Sequence, residues 1–260
     1  MRKKIQFLVP LLLLALVTQA QDRSLFEKHL FIYKGDTLPY RLLLPENYNP
    51  AEKYPLVFFL HGAGERGRDN EKQLVHGAAL FLRDSIRKNH PAIVVFPQCM
   101  EESYWSNVNI VKDSSGKRRF YFRKDGDPTK AMKLAMRLLE DIQRHYPVNN
   151  KQVYAGGLSM GGMGTFEIVR RNPKTFAAAF AICGGADPAT SGKIRKVKWW
   201  IFHGGKDDIV DPDFSRKMEA ALKQAGAYVR FTLYPEANHN SWDATFAEPA
   251  LLSWLFSQKK

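Results

Sequence analysis

Cysteine is scarce in this sequence, with two among 260 residues, so at most one disulfide bridge can form. No long apolar run is present either. The longest, Phe7 to Val17, falls short of the ~20 residues that a membrane-spanning helix needs. No Pro/Ser-rich linker, internal repeat or low-complexity tract divides the chain, and no metal site is apparent. Gly192-Lys193 is not a P-loop, because Asp187 stands where the first glycine belongs and Ile194 where Ser or Thr belongs. These absences leave a globular chain without resident metal or cofactor, without a nucleotide-phosphate loop and without an internal span.

The first residues have a different character. Arg2, Lys3 and Lys4 precede the apolar stretch, and Thr18-Gln19-Ala20 offers small residues where a signal peptidase reads. Residues 1–20 are therefore expected to be a signal peptide, with an exported chain, periplasmic or secreted, beginning near Gln21. No cysteine follows that cut, so no lipid anchor is indicated. Residues 21–260 are expected to form one domain with no membrane association after cleavage. Removing the three leader cations lowers the formal charge from +13 to +10. A charge of this sign suits acidic surfaces or anionic polymers as neighbours, or stands as a solvated basic surface.

The hydropathy pattern alternates between strands and helices. Phe26 to Tyr33 and Leu38 to Leu44 read as a hairpin joined at Lys34-Gly35-Asp36-Thr37. Leu56 to Leu60 and Ala92 to Phe96 are continuous apolar runs, as expected of strands buried on both faces. Asn70 to Lys88 reads as a helix between them. Residues 101 to 127 break the alternation and hold Tyr104-Trp105 and the cluster Lys117-Arg118-Arg119-Phe120-Tyr121-Phe122-Arg123-Lys124. This cluster suits either an acidic polymer or a solvated hairpin. Further on, a helix is predicted over Thr129 to His145 and a strand over Lys151 to Ala155. A helix over Met163 to Arg171 follows, then strands Phe176 to Ile182 and Val197 to His203. The pattern ends with helix Asp213 to Ala225, strand Tyr228 to Tyr234 and helix Ala247 to Gln258. Such alternation after an initial hairpin implies a mostly parallel sheet with helices on both faces.

Gly157-Leu158-Ser159-Met160-Gly161 lies between a strand and a helix. A serine on so sharp a turn holds its hydroxyl clear of the sheet, and the flanking glycines let the two backbones approach. The motif alone arises by accident in roughly one chain of this length in ten. Its context adds weight. A serine hydroxyl needs a base to take its proton and an acid to orient that base. His203-Gly204-Gly205-Lys206-Asp207-Asp208 follows one later strand, and Glu236-Ala237-Asn238-His239 follows the last one. Serine, acid and histidine thus come in order, each at the carboxyl end of a parallel strand.

On these residues the chain resembles the α/β-hydrolase esterases, in the group of polyhydroxybutyrate-depolymerase-like, feruloyl and acetyl-xylan esterases. The resemblance runs from about Tyr40 to the C-terminus. It rests on Tyr40 to Pro45, Leu60-His61-Gly62-Ala63-Gly64-Glu65-Arg66-Gly67, Phe96-Pro97-Gln98-Cys99, the serine turn with Gly162, His203-Gly204 with Asp207, and His239 with Trp242. It implies an α/β-hydrolase fold: a mostly parallel central sheet, helices on both faces and an N-terminal antiparallel hairpin. Ser159 is then nucleophile, His239 the base and Asp207 the orienting carboxylate. Asp208 and Asp211 compete for the last role, and Asp211 stands where proline is usual. The backbone N–H groups of Met160 and Ala63, with Gly64 in reserve, are expected to bind the oxyanion. Trp105 is expected on the rim of the site, there to hold a sugar or phenolic acyl group or else to pack the insertion. Gln98 and Trp242 complete the candidate substrate contacts.

The implied activity is hydrolysis of an ester substrate linked to polysaccharide, feruloyl or acetyl, without cofactor, metal or nucleic acid. The alternatives are a serine peptidase of the prolyl-oligopeptidase type and a non-catalytic binding protein on the same scaffold. Gly62, Gly64 and Gly67 also match a dinucleotide-binding turn. That reading fails because the loop follows the third strand and no acidic residue ends the next one. In this fold's usual strand order two strands separate those bearing Cys99 and Cys183. Three steps of about 4.8 Å then place the thiols some 14 Å apart, beyond the ~7 Å limit for a bridge, so two free thiols are expected.

Overall fold

The computed structural model describes residues 22–260, and the leader read over residues 1–20 lies outside them. Ten strands run in chain order: β1 Glu27–Tyr33, β2 Asp36–Leu43, β3 Tyr54–Leu60, β4 Ile93–Pro97, β5 Val108–Lys112, β6 Arg118–Phe122, β7 Val148–Leu158, β8 Ala178–Ile182, β9 Lys198–Gly204 and β10 Val229–Tyr234. Eight of them form one sheet in the order β1-β2-β4-β3-β7-β8-β9-β10, while β5 and β6 pair apart as an antiparallel hairpin. β1 and β2 are antiparallel, β2 is antiparallel to β4, and the remaining neighbours are parallel. This is the α/β-hydrolase arrangement, with its N-terminal hairpin at one edge.

Strand alternation divides the interior between two faces. In β3, Leu56, Phe58 and Leu60 enter one core while Val57 and Phe59 enter the other. The first core is covered by helices α3 (Lys130–His145), α4 (Met160–Arg171) and α6 (Asp213–Gln224). The second lies under α1 (Ala78–Phe81) and α8 (Ala250–Ser257). The α3 helix starts where Thr129 accepts a hydrogen bond from the Met132 N–H at 3.2 Å, and it buries Met132, Leu134, Leu138, Leu139 and Ile142 along one stripe. Three further short helices complete the set among the described residues: α2 (Asp84–Asn89), α5 (Ser191–Ile194) and α7 (Trp242–Ala247).

Three expectations change. The helix read over Asn70 to Lys88 is broken into a short 3₁₀ turn, α1 and α2, because Asn70 and Gly77 take left-handed backbone at φ +56° and +87°. A side chain at Gly77 would also meet the Phe59 ring at 3.0 Å. The closing helix read from Ala247 is two helices. Glu248 precedes Pro249 and is extended at ψ 110°, as a residue before proline prefers. Trp105 is fully buried instead of standing on the rim. Its side chain lies against Gly164 of α4 and meets the His61 ring edge-on at 5.4 Å.

Cys99 and Cys183 are both buried and unbridged, with β3 and β7 between their strands. Among the described residues no helix is long and apolar enough to cross a membrane. The β5–β6 hairpin is anchored by Phe120 and Phe122, which meet Phe214 of α6 at 6.2 and 5.2 Å between ring centroids.

Because Trp105 is packed on all sides, Trp105→Ala is expected to lower unfolding stability by about 3–5 kcal/mol. Urea denaturation of the variant against the native chain measures this. A loss below about 1 kcal/mol would mean that the indole is not part of the core.

Candidate active site

Ser159 follows β7 directly and caps α4 with φ +52°, a conformation that costs energy for any residue with a side chain. The strain is held in place by close backbone packing. A Cβ at Gly161 would lie 1.9 Å from the Leu60 carbonyl oxygen, and one at Gly157 would lie 2.4 Å from that of Gly161. Glycine is required at both positions, as the motif implies. The Ser159 N–H donates to Ile182 of β8 at 2.8 Å, and the Ser159 carbonyl accepts from Met163 at 3.0 Å. The hydroxyl is thereby fixed above the carboxyl edge of the sheet, at the N-terminus of α4.

The structure brings Ser159, His239 and Asp207 together. Ser159 Oγ lies 2.9 Å from His239 Nε2, and His239 Nδ1 lies 2.8 Å from Asp207 Oδ2. The last two residues come from adjacent strand ends, and their loops are stitched to each other. Gly205 N–H donates to Tyr234, Lys206 N–H to Ala237, and Asp208 N–H to the Asn238 side chain. Asp208 is exposed and its carboxylate makes no hydrogen bond among the described residues, so Asp207 is the carboxylate that meets the imidazole.

Asp207 Oδ1 accepts the Ile209 and Val210 N–H groups at 2.9 Å each, and Oδ2 lies 3.1 Å from His203 Nε2. Burial by itself would raise this carboxyl. Hydrogen bonds with His203, His239 and the Val210 N–H outweigh burial and hold it well below the usual carboxylate range. It is therefore ionised wherever the histidine works. His203 is a functional contact that the motif contained without disclosing its role. It is fully buried, and its Nδ1 meets Ser215 Oγ at 2.7 Å, so the ring is gripped from both sides.

The loop after β3 is set by His61. The Cys99 N–H donates to His61 Nε2 at 2.9 Å, so the ring hydrogen sits on Nδ1 and donates to the Gly62 carbonyl at 2.6 Å. A trans peptide turns its N–H opposite to its carbonyl, and the Ala63 N–H accordingly points away from His61. Ala63 lines a cavity of about 300 Å3 that also contains Ser159, His239 and Trp242. Met160, the first residue of α4, carries one of the helix's unpaired N–H groups beside the serine. Glu65 and His76 lie on one flank of this cavity, with Trp242 between His76 and His239. Burial pushes the Glu65 carboxyl above its ordinary value. Tyr104, Arg118, Phe120, Ile209 and Val210 form the other flank. Sequence alternation gave no sign of Glu65 or His76, because loop contacts leave no period, and it left Arg118 undistinguished within its basic cluster.

Gln98 does not line the cavity. It is fully buried, accepts from the Asn70 N–H at 2.7 Å and donates to the Glu65 carbonyl and Asp69 Oδ1, tying the β3 loop to β4. Trp105 supports that loop from beneath. One group of potential metal ligands comes close among the described residues: Cys183, Asp207 and His239, with ligand atoms within 4.8 Å. Asp207 and His239 are engaged with each other, and burial, then the Asp207 charge, raise the Cys183 thiol away from the thiolate that binds metal.

The Esterase family model matches residues 34–245, a span that contains the serine turn, Asp207 and His239. The chain belongs to the esterase family. A crystal structure of a thermostable esterase is similar to it at 34% identity with a TM-score of 0.81, over 91% of this chain and 64% of that one. The "Probable feruloyl esterase C" of Aspergillus oryzae is 22% identical over 70% of this chain and 59% of its own length. A bifunctional acetylxylan esterase/xylanase of Neocallimastix patriciarum is 31% identical over 32% of this chain and 12% of its own. The chain thus spans less than two thirds of each of these relatives. A ferulic acid esterase from Anaeromyces mucronatus, 16% identical with a TM-score of 0.64 over 90% of both chains, shares the fold.

His61 gives this esterase-family chain an acid sensitivity. Burial lowers its pKa from 6.5 to about 4. A depressed folded-state value contributes stability that is full above the unfolded value and lost as the pH falls through the folded one. The stability gap between the native chain and His61→Gln is therefore expected to shrink by about 3 kcal/mol between pH 7 and pH 4. Urea midpoints at several pH values measure it, and a constant gap would place the proton elsewhere.

Proposed function

We propose that this chain is an exported serine carboxylesterase that removes acyl groups, feruloyl or acetyl, from plant polysaccharide. The observation that carries the proposal is the hydrogen-bonded series Asp207–His239–Ser159, opening on a cavity beside the Ala63 and Met160 N–H groups. Its relatives named for feruloyl and acetylxylan ester hydrolysis support the substrate class. The basic and apolar leader in the sequence supports export.

In this reading Ser159 Oγ attacks the ester carbonyl while His239 Nε2 takes its proton. The imidazolium that forms is stabilised through Nδ1–H by the ionised Asp207. The carbonyl oxygen gains charge and is received by the Met160 and Ala63 N–H groups, already oriented before substrate arrives. His239 returns the proton to the leaving alcohol, and an acyl-Ser159 ester remains. A water, deprotonated by the same imidazole, then releases the acid and restores the serine. With Trp105 in the core, Tyr104, Phe120 and Trp242 are the aromatic side chains lining the cavity that are left to meet the acyl group or the sugar.

A fluorophosphonate probe is expected to label Ser159, and Ser159→Ala to abolish both labelling and turnover of p-nitrophenyl acetate. Peptide mapping of the label to another serine would refute the assignment. Asp207→Asn is expected to lower kcat by about 10⁴-fold, the scale seen when an orienting aspartate is neutralised. Asp208→Asn should leave kcat near that of the native chain; steady-state kinetics with comparable losses in both variants would move the acid.

A further inference from the structure

The catalytic cavity does not end at the insertion hairpin. It shares Arg118, Phe120 and Ile209 with a second cavity of about 200 Å3, so the two cavities adjoin along the hairpin, with Arg118 at the border of both. Lys117, Arg119 and Asp211 also line that second cavity. The cations there are not equivalent. Arg119 Nε donates to Asp113 Oδ2 at 2.9 Å. The side chains of Arg118 and Lys117 have no hydrogen-bonding or ion-pairing partner among the described residues.

Strand periodicity separates this arrangement from a merely solvated charge run. Residues two apart share a face of a strand, so Arg118 lies on the same face of β6 as Phe120 and Phe122. That is the face packed against Phe214. A charge kept only for solubility belongs on the opposite face, with Arg119 and Tyr121. Arg118 is instead delivered to the edge of the catalytic cavity.

We infer that the alcohol portion of the ester is a glycan carrying carboxylates, held by Arg118 with Lys117 as it leaves the catalytic cavity along the hairpin. This rests on the esterase reading above and specifies its substrate. The guanidinium presents a planar fork that matches a carboxylate. The anion is assigned to the alcohol side because a feruloyl or acetyl group, once esterified, carries no carboxylate of its own. Asp211, the one carboxylate of the second cavity, accepts the Asp213 N–H through Oδ1 and leaves the two cations in excess.

The test compares two substrates: a glucuronic-acid-bearing xylo-oligosaccharide with acetyl and feruloyl esters, and the same oligosaccharide after reduction of its carboxyl groups. At low salt the acidic form is expected to have a kcat/KM about three- to tenfold higher, through KM. The preference should vanish near 0.5 M NaCl, where screening acts within a few ångströms. Arg118→Ala should remove most of the preference, Arg118→Lys should retain part of it, and Lys117→Ala should reduce it less. Equal kcat/KM for the two oligosaccharides at low salt, with p-nitrophenyl acetate still hydrolysed, would overturn the glycan assignment and leave the esterase reading standing. So would a preference that survives in both alanine variants. No hydrolysis of any ester and no labelling of Ser159 would overturn both.

Discussion

The site depends on how closely two pieces of main chain approach each other at the end of β3. The first turn of α4 sits so near the Leu60 carbonyl that only glycine fits at position 161. This contact fixes where α4 begins, and hence where the N-terminal N–H groups of the helix point. It also holds Ser159 in an unfavourable backbone conformation that no isolated turn would keep. The sheet interior provides the rigidity for this: β3 and β7 are its central strands, buried on both faces, and their neighbours leave no room for relaxation.

Around that fixed point the other groups are positioned by polar contacts in layers. His61 sets the Gly62–Ala63 peptide, Cys99 N–H sets the tautomer of His61, and Gln98 ties the far part of the same loop to β4. On the other side His203, held by Ser215 and Val210, meets the carboxylate that orients His239. Two buried histidines thus act on the two loops that meet at the serine, each through a neighbour. Neither lines the catalytic cavity.

Much of this was legible from residue pattern. Apolar runs marked the buried strands, the glycines of the serine turn marked the close approach, and the order Ser159, Asp207, His239 marked the site. Backbone that leaves the regular regions was less legible. Asn70 and Gly77 break a segment whose composition suits a helix, and no periodicity announces a left-handed residue. Pro249 did carry a signal, since it disfavours helix at Glu248, and it divides the closing helix. Trp105 was misplaced because its position just past a strand end fixes its place along the chain, while burial depends on what folds over it. Trp105 is enclosed by α4 and the His61 loop, and the face that the β5–β6 hairpin turns to Phe214 had to be seen before Arg118 could be separated from its charged neighbours.

Ser159 and His239 are 80 positions apart in the chain, and Asp207 comes from a third strand end. The three groups become neighbours only when β7, β9 and β10 are in register in one sheet. The Asp207–His239–Ser159 series is then a property of the assembled sheet and of no fragment of it. A chain with β10 still undocked carries Ser159 without His239 beside it, so the hydrogen-bonded series is incomplete until the last strand is in place. The series forms together with the native fold, and undocking of this edge of the sheet would break it while β3 and β7 stay paired.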